Sequence, residues 1–119
     1  MTRIQPNITT PDVARLQAFY ERLLGAVEVT RYPEGGTVFF VGLRLDDSEL
    51  GLVNEPTTDL SAPQRMLLSV DFDDVDGVLD RVEAAGGRVL GPPTDMPWGQ
   101  RVAHLHDPDG NMVNVTQSR

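Results

Sequence analysis

No cysteine and no lysine occur among these 119 residues, and each absence removes a class of chemistry. Without thiols the fold has no disulfides, no thiolate metal site and no cysteine nucleophile. Without lysine the positive charge rests on ten arginines scattered from Arg3 to Arg119, set against 18 acidic residues for a net charge of −8. Such a surface repels phosphate unless a basic patch overrides the field, and the arginines form no patch, so nucleic acid is not an expected partner. The acidity serves either to keep the chain in solution or to attract cationic ligands. Long apolar runs are missing too. None approaches the ~20 residues that cross a bilayer, and Met1 to Asn7 lack a basic start followed by an apolar stretch. No membrane partner is expected, and a cytoplasmic location is the expectation. Serines stand at positions 48, 61, 69 and 118. None sits in a strand-to-helix elbow that would expose a nucleophile.

What is present is a repeat. Asp12-Val13 opens an amphipathic stretch that ends at Gly25, and Asp74-Val75 opens another that ends at Gly86-Gly87; both landmarks recur after 62 residues. In the first copy Val13, Leu16, Phe19, Tyr20, Leu23 and Leu24 form the apolar stripe of a helix buried on one side. Thr10 is placed to cap it, Pro11 suits its first turn and Gly25 can end it. In the second copy Val75, Val78, Leu79, Val82 and Ala85 repeat the stripe, with Gly86 as the stop.

One strand candidate precedes each helix, Ile4 to Thr9 and Met66 to Phe72. Three follow the first helix, Val27 to Tyr32, Thr37 to Leu45 and Glu49 to Val53, with a turn at Asp46-Asp47. Three follow the second, Arg88 to Leu90, Gln100 to His106 and Met112 to Thr116, with a loop from Gly91 to Trp98 and a turn at Asp107-Pro108-Asp109-Gly110. The expected fold class is α+β, two βαβββ modules whose mixed sheets curl into a cup with the helices packed outside. A single domain, 1–119, would hold modules at about 1–55 and 66–119, joined by a Pro-, Thr- and Ser-rich linker over 56–65.

Alternation along the strands sorts the faces, because neighbours point to opposite sides. Ile4, Ile8, Leu68, Val70, Phe72, Val113 and Val115 share an apolar parity that should pack on the helices. The opposite parity carries Gln5, Asn7, Thr9, Leu67, Ser69, Asp71, Met112, Asn114 and Thr116. This mixed, mostly uncharged face either meets water or lines a cavity. Phe39 and Phe40 point to opposite faces, one to the core and one free to enter the cup. Trp98 either pins its loop to the core or stacks on a ligand. His104 and His106 share a strand face, a spacing at which two imidazoles can hold a metal, but a surface pair is the expectation.

Thr9-Thr10-Pro11-Asp12 leading to Ala18-Phe19-Tyr20-Glu21-Arg22-Leu23-Leu24-Gly25, then Asp73-Asp74-Val75-Asp76, then Pro97-Trp98-Gly99-Gln100-Arg101 running into Asp107-Pro108-Asp109-Gly110-Asn111, resemble the vicinal oxygen chelate superfamily. That group includes glyoxalase I, extradiol dioxygenases and bleomycin-resistance proteins. The resemblance implies paired modules rolled into a cup, with a divalent metal at its floor in the enzymes. The family's ligand positions, His or Gln, Glu, His and Glu, fall here on Gln5, Gly51, Leu67 and Asn114, of which only Gln5 matches.

The expectation is therefore a binder of a small organic molecule, aromatic or cationic, resembling the antibiotic-sequestering members, with no metal, no other cofactor and no catalytic residue. Its ligand-binding candidates are Gln5, Asn7, Phe39, Gly51, Leu67, Ser69, Trp98, Met112 and Asn114. The alternative is a glyoxalase-like lyase or isomerase, or a dioxygenase, using a divalent metal. Open sheet edges and the family's habit of pairing make a homodimer the expected assembly.

Overall fold

In the computed structural model, which describes residues 2–118, the chain divides after Asp59 into two compact units. The division falls inside the 56–65 stretch.

The first unit runs β1 (Asn7–Thr10), α1 (Val13–Leu24), β2 (Val27–Tyr32), β3 (Phe40–Leu45) and β4 (Ser48–Asn54). The strands form one mixed sheet in the order β1-β4-β3-β2, with β1 parallel to β4 and the other pairs antiparallel. β1 starts three residues later than Ile4. Pro6 has no N–H to give a ladder and restricts the residue before it, so pairing begins at its carbonyl, which accepts from the Gly51 N–H at 2.9 Å. Ile4 consequently lies outside the sheet and is exposed rather than packed on a helix. β3 likewise starts at Phe40, not Thr37.

On α1, Val13, Leu16, Phe19, Tyr20 and Leu23 are buried, as are Val41 and Leu43 on β3 and Leu50 and Leu52 on β4. Phe19 and Tyr20 meet edge to face, with ring centroids 5.0 Å apart. The cap of α1 is Asp12, whose Oδ1 accepts from the Arg15 N–H at 3.0 Å, rather than Thr10. Thr10 is fully buried and acts one step earlier, its Oγ1 accepting from the Asp12 N–H and so orienting the cap. Gly25 ends the helix in the left-handed conformation at φ 72°, where a side chain would be strained.

The second unit runs β5 (Leu68–Asp71), α2 (Val75–Leu79), β6 (Arg88–Val89), β7 (Thr94–Asp95), β8 (Gln100–His106) and β9 (Met112–Ser118). Its sheet order is β5-β9-β8-β6, with β7 also on β8. Two features differ from the simple repeat. The Gly91 to Trp98 loop contains β7, held by Arg101, which donates to Asp95 and, through two nitrogens, to Asp76. The regular helix stops at Leu79, and a succession of tighter turns carries the chain to Gly86. Three β-branched valines and Gly77 give this segment weak helix propensity, so tertiary packing sets its path. Its apolar stripe still holds, since Val75, Val78, Val82 and Ala85 are all buried.

Asp12→Ala should lower stability by about 1 kcal/mol in urea denaturation, as loss of a helix cap does. Glu28 gives stability a dependence on pH. Its carboxyl is held below the usual range by hydrogen bonds from Arg31 and then Gln17, tying β2 to α1. A depressed folded-state value means that its stabilisation is complete above the ordinary carboxylate range and disappears as pH falls through the folded value. Denaturation midpoints of Glu28→Gln should thus converge on those of the parent protein in acid and fall below them at neutral pH.

Candidate functional site on the open sheet faces

Each sheet covers its helix with one face and leaves the other open, and strand register determines which side chains share the open face. In the first unit the two-residue turn at Asp46-Asp47, with Asp46 at φ 51°, pairs Leu45 with Ser48 and therefore Gly42 with Gly51. Parallel pairing puts Asn7 opposite Gly51, and antiparallel pairing puts Thr30 opposite Gly42. One row across the sheet is thus Asn7, Gly51, Gly42, Thr30. The next row is Thr9, Val53, Phe40, Tyr32.

The glycines form a floor, and their neighbours fill it. A Cβ at Gly51 would lie 2.0 Å from Asn7 Oδ1 and 2.8 Å from Phe40 Cε1; one at Gly42 would lie 3.2 Å from the Thr30 Cβ and 3.5 Å from Phe40 Cε2. The Phe40 ring therefore spans both glycines, in the way aromatic side chains shield backbone that glycine leaves bare. Gln5 precedes β1 and donates from Nε2 to Asn7 Oδ1 at 3.2 Å. Phe39 does not share this face: it precedes β3, is exposed, and uses its backbone N–H and C=O to bond Tyr32 and Asn54. Of the two phenylalanines expected to point to opposite faces, Phe40 is the one on the face of Gly51, and a count from the two-residue hairpin turn at Asp46-Asp47 gives that side.

In the second unit the corresponding row is Ser69, Asn114, His104, flanked by Asp71, Thr116, Val102, Thr94 on one side and Met112, His106, Arg88 on the other. Asn114 Nδ2 donates to Ser69 Oγ at 3.1 Å, while its buried Oδ1 has no hydrogen-bond partner. Thr116 Oγ1 donates to Asp71 at 2.9 Å. Leu67 stands just before β5 and is half-exposed. Trp98, in the turn between β7 and β8, is 69% exposed, and its Nε1 donates to Gln100 at 2.8 Å. Its indole is anchored at its nitrogen and otherwise largely exposed.

A profile of the Glyoxalase/Bleomycin resistance protein/Dioxygenase superfamily matches residues 3–115. The chain belongs to that superfamily. CFP32 of Mycobacterium tuberculosis is 33% identical over 105 residues, 88% of this chain, and the chain spans 39% of the length of that relative. A family member from Burkholderia phytofirmans PsJN superposes with a TM-score of 0.82 at 24% identity, covering 97% of each chain. A bleomycin resistance determinant encoded on the transposon Tn5 superposes with a TM-score of 0.76 at 25% identity, covering 100% of this chain and 99% of that one. The α+β architecture with two mixed sheets is the superfamily fold.

The superfamily's metal does not fit the residues at its ligand positions. In the first unit Gln5 supplies a neutral amide and Gly51 no side chain, and the space a carboxylate would need above Gly51 is taken by Asn7 and Phe40. In the second unit Leu67 supplies carbon and Asn114 a second neutral amide already turned toward Ser69. Divalent ions require several carboxylate or imidazole donors converging on one point. The acids flanking Gly51 in the chain are engaged elsewhere, Glu49 with Arg3 and Glu55 with the backbone and hydroxyl of Thr57, and Asp71 on the second open face accepts from Thr116. Among the described residues no three His, Cys, Asp or Glu side chains group as a metal site.

Gly51→Ala should cost about 1–3 kcal/mol, the range for forcing a methyl into filled space. Adding Asn7→Ala should recover much of that loss, and additive penalties in urea denaturation would contradict the close approach of Asn7 to Gly51.

Proposed function

We propose that this protein binds a small organic molecule, aromatic or cationic, without a metal, as a sequestering or carrying protein of the bleomycin-resistance kind. The observation that carries the reading is the glycine floor at Gly51 and Gly42, occupied by Phe40 and Asn7 where a catalytic member of the superfamily needs a carboxylate. A divalent ion cannot be recruited there by a change of rotamer, because position 51 has none to change.

What remains suits binding. Apolar surface with a few placed polar groups is the usual composition of a ligand site. The open face of the first unit offers Phe40, Val53 and Tyr32 with Asn7, Thr9 and the adjoining Gln5, and that of the second offers Met112 with Ser69 and Asn114, with Trp98 exposed in the turn before β8. Similarity to the Tn5 bleomycin resistance determinant adds a precedent for drug resistance on this scaffold. An acidic chain of net charge −8 favours a cationic over an anionic guest. Location in the cytoplasm and pairing as a homodimer belong to the same proposal. β1 and β2 are the outer strands of the first sheet, and β2 exposes Val27 and Val29, a strand that a second copy would cover.

Titration of the untagged protein with bleomycin and a panel of planar cationic compounds, followed by Trp98 fluorescence and calorimetry, tests the reading. Saturable one-site binding is expected. Trp98→Ala, followed by calorimetry, should weaken it by roughly 2- to 10-fold, the equivalent of one lost aromatic contact of about 0.5–1.5 kcal/mol. Stoichiometric Mn, Fe, Ni or Zn in protein purified without chelator, together with lyase, isomerase or dioxygenase turnover, would overturn it in favour of a metal enzyme.

A further inference from the structure

We propose that the β8–β9 hairpin carries a site for a soft monovalent metal ion, Cu(I) or its redox-inert analogue Ag(I), formed by His104, His106 and Met112. The donor set contains none of the superfamily's ligand positions Gln5, Gly51, Leu67 and Asn114, although His104 faces Asn114 across the ladder and Met112 also lies on the open face proposed above for the organic ligand. The test uses the metal ion alone, so its outcome is separate from that reading.

The argument begins with backbone direction. Met112 is the register partner of His106, and His104 that of Asn114. Both backbone groups of Met112 turn away from β8: its N–H donates to Gln64 Oε1 at 2.6 Å and its C=O accepts from Gln64 Nε2 at 2.8 Å. His104 likewise turns its C=O away from β9, to the Leu90 N–H at 3.0 Å. Each is therefore half of a non-hydrogen-bonded antiparallel pair, the kind in which Cα atoms approach to about 4.5 Å and side chains lie closest. His106 and Met112 are side by side on the open face. His104 stands about 7 Å along the same strand on the same face, and diagonally about 7–8 Å from Met112, within reach of a long thioether chain.

The donors then choose the ion. Two imidazoles and a thioether form a neutral, soft to borderline set, and thioether sulfur selects Cu(I) where carboxylates would select harder divalent ions. Neither imidazole has a hydrogen-bond partner among the described residues, so no existing contact has to be broken. His104 is exposed and His106 half-buried, which leaves the ion a route in. Arg88, the partner of His106 on β6, adds a positive charge on this face that penalises a divalent ion more than a monovalent one. The donor set is particular to the second unit, because the residues 62 positions before His104 and His106 are Gly42 and Arg44, neither of which ligates a metal.

Anaerobic competition of the untagged full chain against a chromophoric Cu(I) chelator, with Ag(I) calorimetry in chloride-free buffer, tests the site. One equivalent of either ion should be retained. His106→Ala and Met112→Leu should each weaken binding by at least about tenfold, the lower end of what even a supporting group contributes to a metal site. Met96→Leu, in the turn before β8, should leave it unchanged. Met112→Leu preserves size and apolarity, so its effect survives if a histidine variant fails to fold. Absence of retained Cu(I) and Ag(I), equal effects of Met112→Leu and Met96→Leu, or Zn(II) binding tighter than Cu(I) would each overturn the proposal.

Discussion

The two-residue turn at Asp46-Asp47 is the constraint on which the first open face depends. A hairpin closed over two residues has one register, and a slip by one residue would turn one strand's side chains to the opposite face relative to the other's. With Leu45 opposite Ser48, Val41 and Leu43 must face the helix with Leu50 and Leu52, and Gly42 must face Gly51 across the ladder. Burial of the four aliphatic residues therefore sets the glycine pair in place. Phe40, two residues before Gly42, falls on the same face and closes over it.

The two units place equivalent rows at equivalent positions and fill them differently. In the first, Asn7, Gly51, Gly42 and Thr30 leave backbone bare, and a neighbouring ring covers it. In the second, Ser69, Asn114 and His104 present polar side chains in the same row. The helix-facing parity does not diverge in this way: Leu52 and Val115, Val41 and Ala103, Leu43 and Leu105 are all buried and aliphatic. One parity is held by the core, and the other is free to change with function. Period-two alternation thus separates what holds the fold from what gives it a site.

That separation also explains how much of the fold and of the candidate site is legible in the amino-acid sequence. The helix stripe from Val13 to Leu23, the stop at Gly25, the strand from Gln100 to His106 and the apolar parity of Val113 and Val115 follow from local periodicity, and they stand as expected. Thr10 and Asp12 are harder to assign, because either oxygen can cap a helix and only backbone geometry decides which one does. A strand start at Ile4 fails against Pro6, a residue whose missing N–H weighs more than the apolar alternation around it. A long second helix fails because valines at helical spacing read as a helix while their propensity resists one. The choice between Phe39 and Phe40 rests on cross-strand register, which a count from the turn supplies. The partner of Met112 is beyond such counting, since nothing local says that Gln64, 48 residues earlier, supplies a side-chain amide in place of a neighbouring strand.

Gln64 shows how a loop side chain can set the chemistry of a sheet face. β5 begins at Leu68, so Met112 lies one residue beyond the pairing of β5 with β9, and its outward N–H and C=O would otherwise have only water as partner. The Gln64 amide supplies both a donor and an acceptor to that one residue, extending the ladder by a step without extending the strand. Because Gln64 then holds Met112 in strand geometry on the side away from β8, its thioether stays on the open face next to His106. An unheld strand end would fray toward the turn at Asp107 and carry the sulfur with it. The register of a β-ladder is usually attributed to strands alone; here a single amide in the segment before β5 completes it, and the composition of the open face follows from where that amide lands.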